Sequence, residues 1–267
     1  NKFRQIRIYR NFTKDGKKLG EFTTDKKGEL ISPSLRYGSY YWQELKAPTG
    51  YYLDNTKHYF DITVENHEDI IHMPIVNEYI EMKLQIIKTD AETKLPLKDA
   101  VFEIYDSENE LVSFTYLDDN YETQVQSQLI TNDKGLAFTR GNLKYGTYTL
   151  VEVEAPKGYI KQQPIKFTID ENTTVIDLPV IGRTKTQDIS NQPTTTEVIK
   201  LSENTGQPLD GAHLQLIHKK TNKIIFDWIS DGEPVTFKGL HVNETYILRE
   251  VSAPDGYFVS DPIEFVV

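Results

Sequence analysis

Three kinds of residue recur in this chain at positions where they could react with one another: a lysine, a glutamate and an asparagine. The glutamates Glu44, Glu152 and Glu250 occupy the same place in a repeated stretch, which reads Tyr-Thr-Leu-Val-Glu-Val-Glu-Ala-Pro-Lys-Gly-Tyr from Tyr148 onward. Its alternation predicts a β-strand in which Tyr148, Leu150 and Glu152 share one face. Because two large apolar residues make that face the core, a carboxylate is directed inward in each of the three repeats.

A lysine and an asparagine are also predicted to face a core. Lys88 shares parity with Leu84 and Ile86 in one predicted strand, Lys200 stands in the opening strand of the third repeat, and Asn77 ends a predicted strand of the first. A charged or amide side chain is costly to bury without a partner. These inward polar groups therefore need one another.

A lysine, a glutamate and an asparagine held together in an apolar core can form an amide bond. Burial disfavours the charged forms, so the lysine becomes a neutral amine and the glutamate a neutral acid. The amine is a nucleophile, and the acid can hydrogen-bond the asparagine amide oxygen and polarise its carbon. Condensation with loss of ammonia would be a single-turnover reaction that joins the first and last strands. Like a disulfide, the product would restrict the unfolded chain.

The repeat spacing predicts three domains. The glutamates lie 108 and 98 residues apart, which is an ordinary domain length. Frequent aromatic residues, Thr and Val, with Gly, Asn and Asp between them, favour an all-β structure. The first predicted unit is residues 1–79, which lack a first strand, and the second is residues 80–184, which are complete. A polar linker at 185–195 leads to the third unit, residues 196–267, which lack a last strand. We therefore expect the first and last domains to be incomplete and the natural protein to be longer.

Composition argues against several other functions. The chain has 267 residues, a formal net charge of −10 and no cysteine. The negative charge is unfavourable for nucleic acids and anionic membranes, and no apolar run is long enough to span a bilayer. The histidines lack metal-binding spacing, and Asp118-Asp119-Asn120 lacks the rest of a calcium-loop pattern. We expect no metal, no cofactor and no turnover active site.

The repeated motif, with Lys-Thr-Asp at Lys88 and Val-Asn at Asn77, resembles the Cna protein B-type domain, also called the SpaA type, of Gram-positive pilins and adhesins. The resemblance covers essentially the whole chain. It implies three tandem prealbumin-like, Ig-like β-sandwiches, isopeptide crosslinks and display on the cell surface. By position, the resemblance implies that Lys88 and Lys200 are the nucleophiles. It implies that Asn77 is the acceptor and that the assisting acids are Glu44, Glu152 and Glu250.

No predicted unit contains all three members of the family pattern. The first unit has Glu44 and Asn77 but no lysine that matches the pattern, and Lys2 is only a weak substitute. In the second unit, Gly182 falls at the acceptor position in our alignment, so we expect a Lys88–Glu152 ion pair and no crosslink. The third unit ends before its acceptor strand.

The function that these features favour is a structural stalk in a surface or pilus protein attached to the cell wall. Its partners would be other pilus or surface-protein subunits, and host matrix is a further candidate. Two alternatives remain open. One is an adhesive module that uses the loop at 117–129, and the other is an accessory region of a larger surface enzyme.

Overall fold

A computed structural model describes residues 7–174, 176–178 and 182–267. Across these ranges the chain forms strands and turns, and none of it forms a helix that could cross a membrane. Three β-sheet units follow one another, and each is built around its copy of the motif strand. We refer to residues 7–79, 80–192 and 193–267 as domain 1, domain 2 and domain 3.

Domain 1 contains one antiparallel sheet. Its strands are β1 (Ile8–Thr13), β2 (Lys18–Thr23), β3 (Gly38–Lys46) and β4 (His58–Ile62), in the order β2-β1-β3-β4. The motif strand is β3, and its aromatic residues pack against those of β1 and β4. The strand predicted to end at Asn77 is not formed: residues 71–78 have no ladder partner in the described part of domain 1.

Domain 2 is a two-layered sandwich. Its strands are β5 (Glu81–Asp90), β6 (Val101–Tyr105), β7 (Phe114–Leu117), β8 (Thr123–Gln126), β9 (Leu129–Ile130), β10 (Leu136–Phe138), β11 (Leu143–Lys144), β12 (Gly146–Glu154), β13 (Ile165–Ile169), β14 (Ile176–Leu178) and β15 (Gly182–Asn191). One layer has the order β10-β5-β15-β14, with β11 also paired to β5, and the other has the order β13-β12-β6-β9. The core between them includes Leu84 and Ile86 of β5 and Leu150 of the motif strand β12.

The polar segment after residue 184 is a strand and not the predicted linker. Most of the range 185–195 lies in β15, which pairs in parallel with β5 from Thr184↔Lys83 to Asn191↔Asp90. The extra strand β14 precedes β15 and runs antiparallel to it, so the chain reverses its direction between the two strands. The polar residues of β15 are compatible with a strand because its ladder satisfies their backbone groups. The last strand of domain 2 therefore ends at Asn191.

Domain 3 repeats the arrangement around β20. Its strands are β16 (Thr195–Val198), β17 (Asp210–His218), β18 (Lys223–Asp231), β19 (Val235–Lys238), β20 (Thr245–Ser252) and β21 (Ile263–Val266). The larger sheet has the order β18-β17-β20-β21, and β16 pairs with β19 in the second layer. Leu216, Phe237 and Tyr246 form the centre of the core.

The two joints between domains share one hydrogen-bond pattern. The carbonyl of Gly50, in the Ala-Pro-x-Gly-Tyr turn of domain 1, accepts from the Ile80 N–H at 2.9 Å, and the carbonyl of Gly158 accepts from the Thr194 N–H at 2.9 Å. In each case the donor lies three residues beyond the asparagine that ends the preceding domain. Each motif turn therefore fastens the exit of its own domain, and the joints are short and backbone-bonded.

Gly158→Ala is expected to loosen the joint between domains 2 and 3. A Cβ at Gly158 would lie 2.5 Å from the backbone oxygen of Gly239, so one domain would have to shift. Gly256 is a matched control, because it has the same φ of +87° against +84° but nothing within 4 Å of its Cβ position. Small-angle scattering should show a wider range of interdomain angles for Gly158→Ala alone, and equal profiles for the two variants would contradict a rigid joint.

Candidate crosslink site

A lysine, a glutamate and an asparagine meet inside domain 2. Lys88 is on β5, Glu152 on β12 and Asn191 at the end of β15, and their relative exposures are 0%, 1% and 0%. The Nζ atom of Lys88 lies 3.4 Å from Oε1 of Glu152. Asn191 Nδ2 donates to Oε2 of the same carboxylate at 2.9 Å. The glutamate thus bridges the first and last strands of the domain.

The backbone fixes the orientation of the Asn191 amide. Its Nδ2 also donates to the Ile160 carbonyl at 2.7 Å, and a carbonyl oxygen can only accept. Oε2 of Glu152 therefore accepts from Asn191 and from the Gln162 N–H, which lies 2.5 Å away. Any proton on this carboxyl group belongs on Oε1, the oxygen that faces Lys88. The carboxyl group contacts the amide nitrogen of the asparagine and not, as predicted, its oxygen.

The burial of Lys88 favours the neutral amine. Removal of the ammonium group from water lowers the pKa of Lys88 below its ordinary value of 10.5, and the nearby Glu152 carboxylate opposes this shift without cancelling it. Nζ makes no well-formed hydrogen bond, and it lies 5.7 Å from the centre of the Phe102 ring. The lysine is thus a poorly solvated amine beside a carboxyl group.

The assignment of Gly182 to the acceptor position is wrong. Gly182 begins β15, and the side chain that reaches Glu152 is nine residues further on, at Asn191. Our alignment placed the last strand directly after β13 and missed the reversal at β14. A signal was present, because Ile75-Val-Asn77 has a counterpart in Ile189-Ser-Asn191.

Domain 1 contains the same glutamate–asparagine pair. Asn77 Nδ2 donates to Glu44 Oε2 at 2.5 Å and to the Tyr52 carbonyl at 2.9 Å. The Asp54 N–H takes the place of Gln162 as the second donor to the glutamate, at 2.8 Å. Glu44 Oε1 and Asn77 Oδ1 have no hydrogen-bond partner. In the described part of domain 1, no lysine occupies the place that Lys88 has in domain 2.

Domain 3 contains the lysine–glutamate pair. Lys200 Nζ donates to Glu250 Oε2 at 3.1 Å, and Glu250 is 5% exposed. The N–H and the hydroxyl of Ser260 donate to the same oxygen at 2.6 and 2.8 Å. Glu250 Oε1 has no partner. The described residues of domain 3 place no asparagine beside this pair.

The stability of domain 3 should fall in acid. Burial raises the pKa of Glu250, but hydrogen bonds from Ser260 and the charge of Lys200 outweigh it and hold the pKa below the usual 4.5. A carboxyl group with a lowered folded pKa stabilises the fold above its unfolded pKa, and this contribution is lost as pH falls through the folded value. Urea unfolding of domain 3, monitored by hydrogen exchange, should show this loss of stability below about pH 4.5. Glu250→Gln should weaken that dependence, and an unchanged profile would contradict the assignment.

A contact between Asp90 and Tyr159 was not predicted from the sequence. The Tyr159 hydroxyl donates to Asp90 Oδ2 at 2.7 Å, while Asp90 Oδ1 accepts from the Glu92 and Thr93 N–H groups. Burial and the hydrogen bond to Asp90 raise the pKa of Tyr159 to about 12. The Lys-Thr-Asp and Gly-Tyr parts of the motif therefore touch, and they hold the end of β5 beside the motif turn.

No metal centre accompanies these clusters. Within the described ranges, no group of three or more His, Asp or Glu residues could hold a metal ion. The site chemistry is therefore that of an amine, a carboxyl group and an amide enclosed between two sheets. The tandem β-sheet units and the buried glutamate that recurs in each define a class of protein built from repeated β-sandwich domains.

The SpaA prealbumin-like fold domain model matches residues 4–78, 82–181 and 194–267. The chain therefore belongs to the family of SpaA-type prealbumin-like domains, and its fold class is that of three tandem domains of this family.

Individual relatives are distant. A collagen adhesin of Staphylococcus aureus is 24% identical over 204 residues, which is 67% of this chain and 16% of the adhesin. The Bacillus anthracis TIE protein has a TM-score of 0.59 and 23% identity over 98% of this chain and 45% of that protein. The major pilin subunit of Bacillus cereus matches with a TM-score of 0.42 and 15% identity, covering 98% of this chain and 90% of the pilin. The chain thus spans less than half the length of the first two, and the TIE protein shows the fold alone.

Proposed function

We propose that these domains form part of the stalk of a Gram-positive surface or pilus protein and that an amide bond between Lys88 and Asn191 locks domain 2. The observation that carries the proposal is the fully buried cluster in which Glu152 bridges these two residues. Family membership supports a location outside the cell, at the cell-wall surface. Other surface or pilus subunits would be the partners.

The geometry assigns one task to each oxygen of Glu152. Neutral Nζ of Lys88 adds to Cγ of Asn191, and the proton that it sheds goes to Oε1. Oε2 holds the leaving nitrogen Nδ2 in place, and the proton taken up by Oε1 passes to Nδ2 as the carboxyl group turns, so that the Cγ–Nδ2 bond breaks and ammonia leaves. One amine and one amide thus become one new amide and one ammonia, and Glu152 ends in its starting state.

The position of the bond suits a stalk. Lys88 and Asn191 lie near the ends of the parallel neighbours β5 and β15, and Asn191 is three residues from the joint with domain 3. Tension that enters at β5 would cross the amide bond and leave through Asn191. The covalent path would bypass the residues between Lys88 and Asn191 in the sequence. The hydrogen bonds of those residues would therefore carry no load.

Intact mass measurement of the 267-residue chain tests the proposal. We expect a mass one ammonia below the sequence mass, and a branched peptide that joins the fragments containing Lys88 and Asn191. The Asn191→Ala variant should have the full mass calculated from its own sequence, without the loss of ammonia. A wild-type chain at its full sequence mass after prolonged incubation would refute the crosslink and leave Lys88 and Glu152 as an ion pair.

Adhesion is a second candidate function, and the hairpin of domain 2 favours it. The segment predicted as a polar loop, 117–129, contains the end of β7, the turn of the hairpin and β8, and it exposes Leu117, Tyr121 and Val125 at 61%, 85% and 65%. Exposed apolar side chains on a hairpin can contact a partner. Binding to host matrix that is lost when residues 117–125 are replaced by a short Gly-Ser turn would support adhesion. Unchanged binding would exclude this hairpin.

A further inference from the structure

The three domains differ at one edge of the sheet that holds the motif strand. The edge strands there are β2, β9 and β18, which pair with β1, β6 and β17. An edge strand leaves a row of backbone N–H and C=O groups without a ladder partner, so a further strand can pair with it. β9 has only two residues, whereas β18 has nine. Of the three, β18 therefore offers the longest free edge in the part of the chain that the structure describes.

The edge strand of domain 1 carries polar residues where that of domain 3 carries apolar ones. β2 and β18 can be compared position by position, because both have a register shift at the same place relative to the motif strand. Two positions of β2 hold Lys18 and Thr23, and the same positions of β18 hold Ile224 and Ile229. Charged and polar residues on an edge discourage pairing with another chain. Domain 3 lacks this protection.

β18 exposes apolar side chains along most of its length. Relative exposures of 45%, 37%, 42% and 59% are found for Ile224, Ile225, Phe226 and Ile229. The ring of Phe226 packs on Phe237 of the other layer, with centroids 4.6 Å apart, and it still remains accessible to solvent. A long edge strand with exposed apolar side chains is typical of a surface that pairs with another strand.

The charges at the two ends of β18 indicate which partner fits. Lys220 and Lys223 stand at its start, Asp231 and Glu233 stand at its end, and all four are exposed. Within the described ranges, neither Lys223 nor Asp231 forms an ion pair. A second copy of β18 in antiparallel orientation would place the basic end of each strand against the acidic end of the other, twice, by two-fold symmetry. Parallel pairing would instead bring like charges together.

We infer that β18 is a self-association surface through which two copies of the chain pair antiparallel and join their domain 3 sheets. With the two strands fully overlapped, Lys223 of one copy faces Asp231 of the other, and Ile225 faces Ile229. A nine-residue edge is small for a permanent dimer, so association should depend on concentration. The inference is independent of the crosslink proposed for domain 2.

The centre of this pairing falls at Asp227, which lies opposite its own copy. Its two carboxylate oxygens are hydrogen-bonded to His213, at 2.5 Å, and to Gln215, at 2.7 Å, both on β17. The carboxylate is therefore directed toward its own sheet and its charge is partly compensated there. The charges at the strand ends, which have no such partners, decide the orientation.

Sedimentation velocity of the 267-residue chain at increasing concentration tests the inference. The wild type should shift from monomer to dimer. Ile229→Lys places a charge in the apolar surface and should weaken association by roughly tenfold or more. Ile130→Lys is the matched control, because Ile130 lies on β9, the edge strand of domain 2, and is 58% exposed against 59% for Ile229. This control should associate as the wild type does.

Charge exchange tests the antiparallel orientation. In Lys223→Glu two acidic groups face each other across the interface, and in Asp231→Lys two basic groups do. Each variant alone should therefore associate roughly tenfold more weakly than the wild type. An equimolar mixture of the two restores opposite charges at both ends and should form heterodimers with about wild-type affinity. Native mass spectrometry with one variant labelled with heavy nitrogen identifies these heterodimers.

Several results would overturn the inference. A wild-type chain that is monomeric at every concentration would leave the β18 edge to a different protein. A dimer that persists in Ile229→Lys, or that Ile130→Lys also dissociates, would place the contact elsewhere. A mixture that associates no better than the two charge variants alone would contradict antiparallel pairing. All four substitutions are at exposed positions, and circular dichroism checks that each variant is folded.

Discussion

Replacement of Asn191 by alanine is expected to lower the thermal midpoint of domain 2 by about 20 °C. A covalent link that closes a loop of about 100 residues stabilises a protein by roughly 4 to 5 kcal/mol in the chain-entropy account. Each kcal/mol corresponds to about 4 to 8 °C for a domain of this size. Hydrogen exchange during heating, read by mass spectrometry, measures the transition of each domain separately.

Asn77→Ala in domain 1 is the matched control. It removes the same two hydrogen bonds, to a buried glutamate and to a backbone carbonyl, as Asn191→Ala removes in domain 2. No lysine faces Asn77 in the described residues, so no crosslink is lost with it. Asn77→Ala should therefore cost only the hydrogen bonds, roughly 1 to 3 kcal/mol. Equal losses in the two domains would show that hydrogen bonding, and not a covalent bond, explains the effect of Asn191.

Glu152→Ala is expected to be more destabilising than Asn191→Ala. It would prevent the proposed crosslink, because the proton carrier is absent, and it would leave Lys88 buried without a counter-charge. An unpaired buried charge of this kind costs roughly 3 to 5 kcal/mol. Urea unfolding of domain 2 should rank the variants, with the wild type most stable, Asn191→Ala next and Glu152→Ala last.

Lys88→Met provides the companion measurement. Methionine fills much of the lysine's space without a charge, and Glu152 keeps the Gln162 and Asn191 donors. Lys88→Met should therefore resemble Asn191→Ala. The double variant Lys88→Met with Glu152→Ala should be more stable than Glu152→Ala alone. A double variant that is no more stable would contradict the assignment of the cost to an unpaired lysine.

The sequence by itself determined the local features of this protein. Alternation in the motif strand placed Glu44, Glu152 and Glu250 inside, and the structure finds them 2%, 1% and 5% exposed. Parity likewise placed Lys88 in the core. These predictions succeed because side-chain direction in a strand has a period of two residues and depends on neighbours along the chain.

Only the tertiary structure brought Asn191 into the buried cluster of domain 2. Asn191 lies in a polar segment that resembles a linker, and it becomes a strand because β5 is beside it in parallel register. Parallel pairing joins residues about 100 positions apart, so no local pattern encodes it. The reverse holds in domain 1, where residues 71–78 have the alternation of a strand but no neighbour and form none. Composition and parity thus determine which side chains face inward, whereas the strand that lies alongside decides whether a segment becomes a strand and which residues meet.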